Sequence, residues 1–205
     1  MILQHNLEND SDPIAIRPTQ GSPVSKPPLK PLHSERTELY GIDGPWQGKL
    51  AILPRPRGGD WLEDEVRAWR AAGVDVVVSL LTSDEVVDLD LAQEGGLCEA
   101  HGIDFRPFPI VDRSVPASRK ATMEFVNELA KLLTEGKSIA IHCRQGIGRS
   151  ALIAASLLVL SGIVPEAAFL RVSEGRGCSV PETSEQRQWL MEFTEDKPPH
   201  ILNKE

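Results

Sequence analysis

One short segment of the chain combines residue types and spacings that suit nucleophilic chemistry on an anion. The segment His142–Ser150 reads HCRQGIGRS. Its two glycines allow successive backbone N–H groups to turn inward and form an anion-binding nest. A helix that begins near Arg149 would add the partial positive charge of its N-terminus, and the planar guanidinium of Arg149 can grip two phosphate oxygens. The segment therefore predicts an oxyanion site.

The same electrostatics favour a nucleophile at the start of the segment. A helix N-terminus and a nearby cation stabilise a thiolate, so Cys143 is expected to be reactive at neutral pH. The hydroxyl of Ser150 can hydrogen-bond the thiolate and assist its departure, and His142 is expected to order the loop through hydrogen bonds to backbone carbonyls. The residues expected to hold the phosphate are Arg144, Gln145, Gly146, Ile147, Gly148 and Arg149.

The hydrophobic pattern on either side of the segment predicts the elements that position it. Apolar runs predict strands, and apolar residues at helical spacing predict helices. Asp60 is expected to cap the first helix and Pro116 to open the third. Predicted strands or extended segments lie at 50–53, 74–80, 103–109 and 138–142, and predicted helices at about 61–72, 89–100, 116–135, 149–161, 165–174 and 183–194. This alternation indicates an α/β domain with a mainly parallel central sheet flanked by helices, in which ligands bind at the carboxyl ends of strands.

The loop resembles the signature of the cysteine-dependent protein tyrosine phosphatases, His-Cys-(five residues)-Arg-Ser/Thr. Both glycines of HCRQGIGRS and its final serine also match. The compact size resembles the dual-specificity branch, and residues 45–195 are most similar to the cyclin-dependent-kinase-associated phosphatase group. The resemblance implies the tyrosine phosphatase fold and hydrolysis of phosphomonoesters through a phosphocysteine. It also implies that no metal and no organic cofactor is required.

The resemblance further implies a general acid and a residue that positions water. Asp112, on a loop 31 residues before the cysteine, matches the acid, which must protonate the leaving oxygen. Asp104 is the next candidate for that role. Gln186 matches a family position near the active site and could help position the hydrolytic water, but Thr183 and Gln186 could equally form a helix-capping box.

The implied substrate is a phosphorylated protein or peptide. Phosphotyrosine is expected, with phosphoserine or phosphothreonine as alternatives if the pocket is shallow. Two other functions stay open, namely a phosphoinositide or other non-protein phosphatase that uses the same loop and a phosphate-binding interaction module. Lipid-specific relatives often carry two lysines in the loop, where this chain has only Arg144, and an inactive module would be expected to have lost Cys143, Arg149 or Asp112.

The amino-acid composition limits the classes of binding partner and the cellular compartment that we expect for this protein. The chain has 205 residues, 40% of them hydrophobic, and a net charge of −8, which argues against nucleic acid and against stable membrane association. The three cysteines are too few for a disulfide framework, and no secretory signal is evident, so a cytoplasmic location is expected. A disulfide between Cys143 and Cys178 under oxidation is an open alternative, and Cys98 is expected to pack in a helix.

The N-terminal segment differs in composition from the rest of the chain. Residues 1–36 hold six of the 16 prolines and show no apolar periodicity, which predicts a proline-rich and mobile extension. Residues 37–205 are predicted to form the catalytic domain. Because the extension carries four basic and four acidic side chains, the net charge of −8 belongs to the catalytic domain.

Overall fold

A computed structural model of the protein describes residues 38–193. The predicted proline-rich extension, residues 1–36, lies outside the described residues, as do residues 194–205. The domain boundary at residue 36 therefore stays a prediction.

A single mixed sheet forms the centre of the described domain. Its strands are β1 (Tyr40–Ile42), β2 (Leu50–Leu53), β3 (Val76–Ser79), β4 (Asp104–Pro107) and β5 (Ile139–His142). Their order in the sheet is β1-β2-β5-β3-β4; β1 pairs antiparallel with β2, and all other pairs are parallel. This arrangement confirms the predicted α/β class with a mainly parallel sheet. The edge strand β1 was not predicted, because three residues are too few to show an alternating pattern.

Seven α-helices accompany this sheet within residues 38–193. They are α1 (Leu62–Ala71), α2 (Ser83–Asp88), α3 (Glu94–Ala100), α4 (Arg119–Thr134), α5 (Arg149–Leu160), α6 (Pro165–Arg176) and α7 (Ser184–Phe193). In this part of the chain, no helix combines the length and the apolar character that a membrane span requires.

Two helices begin elsewhere than the sequence predicts. Asp60 does not cap α1, because it lies in a single 3-10 turn and Trp61 occupies the N-cap position. Pro116 does not open α4, because the helix starts after Ser118. The hydroxyl of Ser118 accepts a hydrogen bond from the N–H of Ala121 at 3.2 Å, which satisfies a donor that the helix itself leaves unpaired.

The segment predicted as one helix over residues 89–100 contains only α3, and a separate helix, α2, precedes it. Thr82 caps α2 through a capping box: its hydroxyl accepts from the N–H of Glu85, and the Glu85 carboxylate accepts from the N–H of Thr82 at 3.0 Å. The sequence carries this signature as Thr-x-x-Glu, so the helix start was readable from the residues.

Alternating side chains of the central strand β5 enter two different hydrophobic cores. Ile139 and Ile141 pack into the core that contains the apolar faces of α4–α7, whereas Ala140 packs into the core formed with α1 and α3. Eleven of the twelve residues of α5 are buried, so this helix forms the centre of the first core. The parallel register places Leu53 and Ser79 on either side of His142. Three strand ends therefore meet where the Cys143 loop begins.

Replacing one large buried side chain of α5 by alanine tests how much this core contributes to stability. Leu152 is fully buried, and Leu152→Ala is expected to reduce the free energy of unfolding by about 2–5 kcal/mol through lost burial and an unfilled cavity. Leu170→Ala is the matched control, because Leu170 is 61% exposed and should change stability by about 0.5 kcal/mol or less. Urea denaturation measures both values, and equal effects of the two variants would contradict the assigned core.

Candidate active site

The loop between β5 and α5 curls around the sulfur of Cys143. The N–H of Gly146 donates to Cys143 Sγ at 3.3 Å. Gly146 has φ +68°, and a Cβ there would lie 2.8 Å from the carbonyl oxygen of Leu53. Both the left-handed backbone and the close approach to β2 therefore require glycine at this position. The turn supplies the inward N–H group that the sequence predicts.

Gly148 is closely approached by two side chains from the segment around the start of α7. A Cβ on Gly148 would lie 3.0 Å from Gln186 Nε2 and 3.0 Å from Glu182 Oε2. The absence of a side chain thus lets the residues around the start of α7 pack against the loop. This contact brings a segment more than 30 positions downstream next to the nucleophile loop.

A small pocket opens above Cys143. It unites the predicted acid with most of the predicted phosphate-binding loop, and it includes one carboxylate that the sequence analysis missed, that of Glu182. The lining residues are Asp112, Cys143, Arg144, Gln145, Ile147, Gly148, Arg149 and Glu182.

The guanidinium of Arg149 is buried and held by acceptors from several segments. Its side chain is 1% exposed, and Glu85 receives two hydrogen bonds from it, at 2.7 and 2.9 Å. Nη1 also donates to the carbonyl of Ile110 at 2.9 Å, and Nη2 donates to Asp112 Oδ1 at 2.7 Å. These contacts fix the direction of the guanidinium at the wall of the pocket.

Charge pairing keeps both partners of this buried contact ionised. Burial alone would raise the pKa of Glu85, but hydrogen bonds from Arg149 and from the backbone of Thr82 outweigh burial and lower that pKa. Burial alone would lower the pKa of Arg149, but the hydrogen bond to Glu85 and the nearby Cys143 and Asp112 raise it. Glu85 was missed by the sequence analysis, although the capping signature at Thr82 marks its position.

Asp112 lies at the pocket mouth, as the sequence analysis predicts for the acid. Its side chain is 51% exposed while its Oδ1 contacts Arg149, so the carboxyl group can reach both solvent and a bound ligand. The next residue, Arg113, has φ +60°, an unusual conformation for a residue with a side chain. The other acid candidate, Asp104, lies on β4, and its carboxylate pairs with Arg106 at 2.8 Å. Of the two acid candidates, Asp112 is therefore the one that lines the pocket.

Ser150 is buried at the start of α5, and its hydroxyl makes no hydrogen bond with the described residues. The predicted hydrogen bond to the Cys143 sulfur is thus not formed in this structure. The donor nevertheless stays available, because a buried hydroxyl without a partner gains from any acceptor placed beside it.

His142 does not make the predicted hydrogen bonds to backbone carbonyls within the described chain. Instead, its Nε2 lies 2.8 Å from Glu94 Oε1, and both side chains are at most 2% exposed. The side chain of His142 points away from Cys143 because consecutive residues of a strand face opposite sides of the sheet. Glu94 on α3 therefore replaces the expected carbonyls as the neighbour of this imidazole.

Gln186 forms the capping box that the sequence analysis left as an alternative. Its N–H donates to the Thr183 hydroxyl at 3.2 Å, and its Oε1 accepts from the N–H of Thr183 at 3.3 Å. Its Nε2 donates to the carbonyl of Ser114 at 3.1 Å, and the residue is fully buried. Both ends of the amide are thus engaged with protein, and Gln186 is not among the residues that line the pocket.

Two arginines flank the loop from outside. Arg144, whose side chain is 44% exposed, lies at the rim with its Nη1 3.9 Å from Glu85 Oε1. Arg176 at the end of α6 donates to the carbonyls of Gln145 and Gly146 at 3.0 and 2.9 Å. These two bonds orient peptide groups of the loop, a role that the sequence analysis missed because α6 has no motif that points to it.

The three cysteines lie in different environments. All three are thiols in the structure; Cys143 and Cys98 are buried, and Cys178 is exposed. Cys98 packs in α3 as predicted, and burial together with the nearby carboxylates of Glu94 and Glu99 raises its pKa to about 12. Cys98 is therefore protonated at neutral pH and unsuited to nucleophilic attack.

This sheet topology, with a cysteine–arginine loop between the central strand and a buried helix, defines a cysteine-dependent phosphatase domain. The protein-family model described as "Polymorphic toxin system, DSP-PTPase phosphatase" matches residues 53–163. Because that match covers more than half of the chain, the chain belongs to this family, within the dual-specificity branch of the tyrosine phosphatases.

Curated relatives support the same assignment. The putative tyrosine phosphatase 197R of Invertebrate iridescent virus 6 is 39% identical over 159 residues, which cover 76% of this chain and 56% of the viral protein. The human protein named cyclin-dependent kinase inhibitor 3 is 32% identical over 119 residues, which cover 57% of this chain and 53% of that protein. The chain thus spans little more than half the length of these relatives.

Solved structures share the fold. A kinase-associated phosphatase with its catalytic cysteine replaced by serine superimposes with a TM-score of 0.71 at 22% identity, over 79% of this chain and 96% of that one. The active form of Tk-PTP superimposes with a TM-score of 0.63 at 28% identity, over 78% of this chain and 97% of that one. These likenesses confirm the predicted fold, and together with the family match and the curated relatives they confirm the predicted resemblance to the kinase-associated group.

The Glu85–Arg149 pair predicts a pH-dependent contribution to stability. Glu85→Gln removes the buried charge partner of the guanidinium, leaves only the half-exposed Asp112 beside it, and is expected to cost about 3–5 kcal/mol of unfolding free energy at pH 7. Because the pKa of Glu85 is lowered in the folded state, this contribution is complete above the ordinary value of 4.5 and declines as the pH falls below it. The difference between the variant and the parent should therefore shrink in acid.

Denaturant unfolding at pH 7 and at pH 3.5 measures this difference. Glu63→Gln is the matched control, since Glu63 pairs with Arg67 on the exposed surface of α1 and should change stability by about 0.5 kcal/mol at most. A destabilisation by Glu85→Gln that is the same at both pH values would contradict the linkage to Glu85 ionisation.

Proposed function

We propose that the protein hydrolyses phosphomonoesters on proteins through a covalent phosphocysteine. One observation carries the proposal: Cys143, Arg149 and Asp112 line the same small pocket, so a nucleophile, an anion-binding fork and an acid converge on one point. Family membership supports the same chemistry.

In the first step the thiolate of Cys143 attacks phosphorus in line with the leaving oxygen. Arg149 and the inward N–H groups of the loop stabilise the equatorial oxygens as charge redistributes. A bound phosphoryl group competes with Asp112 for Nη2 of Arg149, which releases the carboxyl group toward the leaving oxygen. Protonated Asp112 then gives its proton to that oxygen as the P–O bond breaks.

In the second step a water molecule replaces the departed group. Asp112, now ionised, accepts a proton from this water, whose oxygen attacks phosphorus. The S–P bond breaks, its electron pair returns to the sulfur, and inorganic phosphate leaves. The buried hydroxyl of Ser150, which has no partner among the described residues, can donate to the departing thiolate.

The proposed substrate is a phosphorylated protein or peptide, with phosphotyrosine expected and phosphoserine or phosphothreonine also accepted if the pocket admits them. The loop carries one basic residue between Cys143 and Arg149, namely Arg144, which gives little positive charge for a polyphosphorylated lipid headgroup. Side-by-side turnover of phosphotyrosine, phosphothreonine and phosphoinositide substrates decides among these classes. We also propose a cytoplasmic location, because three scattered cysteines are too few for the disulfide framework typical of small secreted domains.

Cys143→Ser tests the nucleophile. Turnover of p-nitrophenyl phosphate is expected to fall by roughly 10³-fold or more, because a serine hydroxyl is far less ionised than the cysteine. Binding of a phosphotyrosine peptide, measured by calorimetry, should persist because Arg149 and the loop N–H groups are intact. Cys98→Ser serves as the control and should keep full turnover. Substantial turnover by Cys143→Ser would remove Cys143 from the reaction.

Asp112→Asn tests the general acid through the leaving group. Phenyl phosphate needs protonation of its leaving oxygen and should be hydrolysed roughly 10²- to 10⁴-fold more slowly by the variant. The rate of hydrolysis of an activated substrate, whose leaving group is a strongly acidic phenol, should fall much less in the variant. The ratio of kcat/KM between the two substrates is the measurement, and an equal loss on both would show that Asp112 is not the acid.

A further inference from the structure

Arg176 is hydrogen-bonded to two consecutive peptide groups of the loop. Its Nη2 donates to the carbonyl of Gln145 at 3.0 Å, and its Nε donates to the carbonyl of Gly146 at 2.9 Å. In a trans peptide the C=O and the N–H point in opposite directions. The N–H groups of the same two peptides, which belong to Gly146 and Ile147, therefore face away from the guanidinium.

The first of these N–H groups reaches the candidate nucleophile. The N–H of Gly146 donates to Cys143 Sγ at 3.3 Å, so a single peptide group connects the guanidinium of Arg176 with the sulfur. A cation at the carbonyl end polarises the peptide and strengthens the hydrogen bond at its N–H end. The second N–H belongs to Ile147, which lines the pocket. Arg176 is thus placed to influence both the sulfur and a bound anion.

The aromatic ring of Tyr40 supports Arg176 in this position. The guanidinium carbon lies 3.8 Å from the centre of the ring, which is a cation–π contact. The ring is fixed in turn, because Tyr40 is half-buried and its hydroxyl donates to Glu38 Oε2 at 2.8 Å. An arginine side chain has many rotamers, so a guanidinium without this flat support would spend less time on the two carbonyls.

The close packing of α6 on β1 makes the contact possible. A Cβ on Gly175 would lie 2.7 Å from Ile42 Cδ1 and closer still to the carbonyl oxygen of Gly41. Glycine at residue 175 therefore allows the end of the helix to approach the edge strand. The next residue, Arg176, is the last of α6, and Tyr40 is the first of β1.

We propose that Tyr40 is a positioning residue for the phosphatase reaction and that it acts through Arg176. The ring keeps the guanidinium on the carbonyls of Gln145 and Gly146. The two peptide groups then keep one N–H directed at the sulfur of Cys143 and the next available to a phosphoryl oxygen. This inference rests on the proposed function. It gives the edge strand β1 a part in the reaction, although none of its three residues lines the pocket.

Alkylation of Cys143 measures the effect on the nucleophile without any substrate. Tyr40→Leu removes the π face but keeps an apolar side chain. The rate at which iodoacetamide modifies Cys143 at about pH 6 is expected to fall roughly 3- to 30-fold, because a less well oriented N–H stabilises the thiolate less. Alkaline solution ionises thiols in either protein, so the two rates should converge at about pH 10. Mass spectrometry of the Cys143 peptide separates this reaction from that of the exposed Cys178.

The charged groups that face Cys143 are the same in the parent and in this variant, so they do not account for a difference in rate. Four of them line the pocket, and one lies behind the arginine of the loop: Asp112, Arg144, Arg149 and Glu182, with Glu85 behind Arg149.

Turnover of p-nitrophenyl phosphate gives a second readout. Tyr40→Leu should lower kcat/KM roughly 3- to 30-fold, whereas Tyr40→Phe keeps the ring and should stay within about twofold of the parent. Arg176→Met removes the cation, and adding Tyr40→Leu to it should change kcat/KM by less than about twofold, because Tyr40 acts through the arginine. The Phe and Leu variants decide the inference even if Arg176→Met does not fold. Trp61→Leu is the matched control and should behave as the parent, since the stack of Arg57 on Trp61 lies outside the pocket.

Four results would overturn the inference: parental alkylation and turnover by Tyr40→Leu, Tyr40→Phe as slow as Tyr40→Leu, an alkylation loss of equal size at both pH values, or a Tyr40→Leu loss that persists in full beside Arg176→Met. Failure of the proposed function is a different outcome. In that case the parent would hydrolyse no phosphomonoester, while the alkylation of Cys143 would still report whether Tyr40 acts on the sulfur.

Discussion

The buried guanidinium of Arg149 is the contact on which the rest of the site depends. A charge removed from water must be met by an opposite charge and by hydrogen bonds, or the fold pays several kcal/mol. Glu85 supplies the charge, and the carbonyl of Ile110 supplies a further acceptor. The contact thereby ties the start of α5 to α2 and to the segment that carries Asp112. The contacts that hold Arg149 in place therefore also hold the segment that carries Asp112, the candidate acid, at the pocket.

The charges and N–H groups at the pocket, and not the net charge of the protein, decide whether this acidic domain can bind an anion. The net charge of −8 is a property of the whole chain, whereas the N–H of Gly146 lies 3.3 Å from the sulfur of Cys143 and Arg149 lines the same pocket. The two carboxylates in the pocket each lie beside an arginine: Asp112 contacts Arg149, and Glu182 faces Arg113. The pocket can therefore accept a phosphate although the protein as a whole is negative.

The parts of the fold that could be predicted are those with a strong local pattern. The strands β2, β3 and β5 are short runs of buried apolar residues, and α5 is apolar almost throughout, so these four elements were predicted correctly. The edge strand β1 was missed because its pairing with β2, rather than its own three residues, makes it a strand. The capping signature at Thr82 indicates the start of α2. A helix of six residues is too short to show a clear apolar periodicity, so its cap is the stronger sequence signal.

The sequence by itself determined where the candidate nucleophile and the candidate anion-binding arginine lie, because Cys143 and Arg149 stand six positions apart on one loop whose geometry is set by local glycines. It could not show that Glu85 and Glu182 also surround them. Glu85 lies 64 positions from Arg149 and reaches it only through the sheet topology. At the start of α7, reciprocal hydrogen bonds with Thr183 turn the amide of Gln186 into the protein and leave Glu182 at the pocket. Sequence spacing indicates which residues of one loop can act on the same ligand. Contacts between distant segments depend on the tertiary structure, because the chain must pack its apolar side chains and pair its buried charges at the same time.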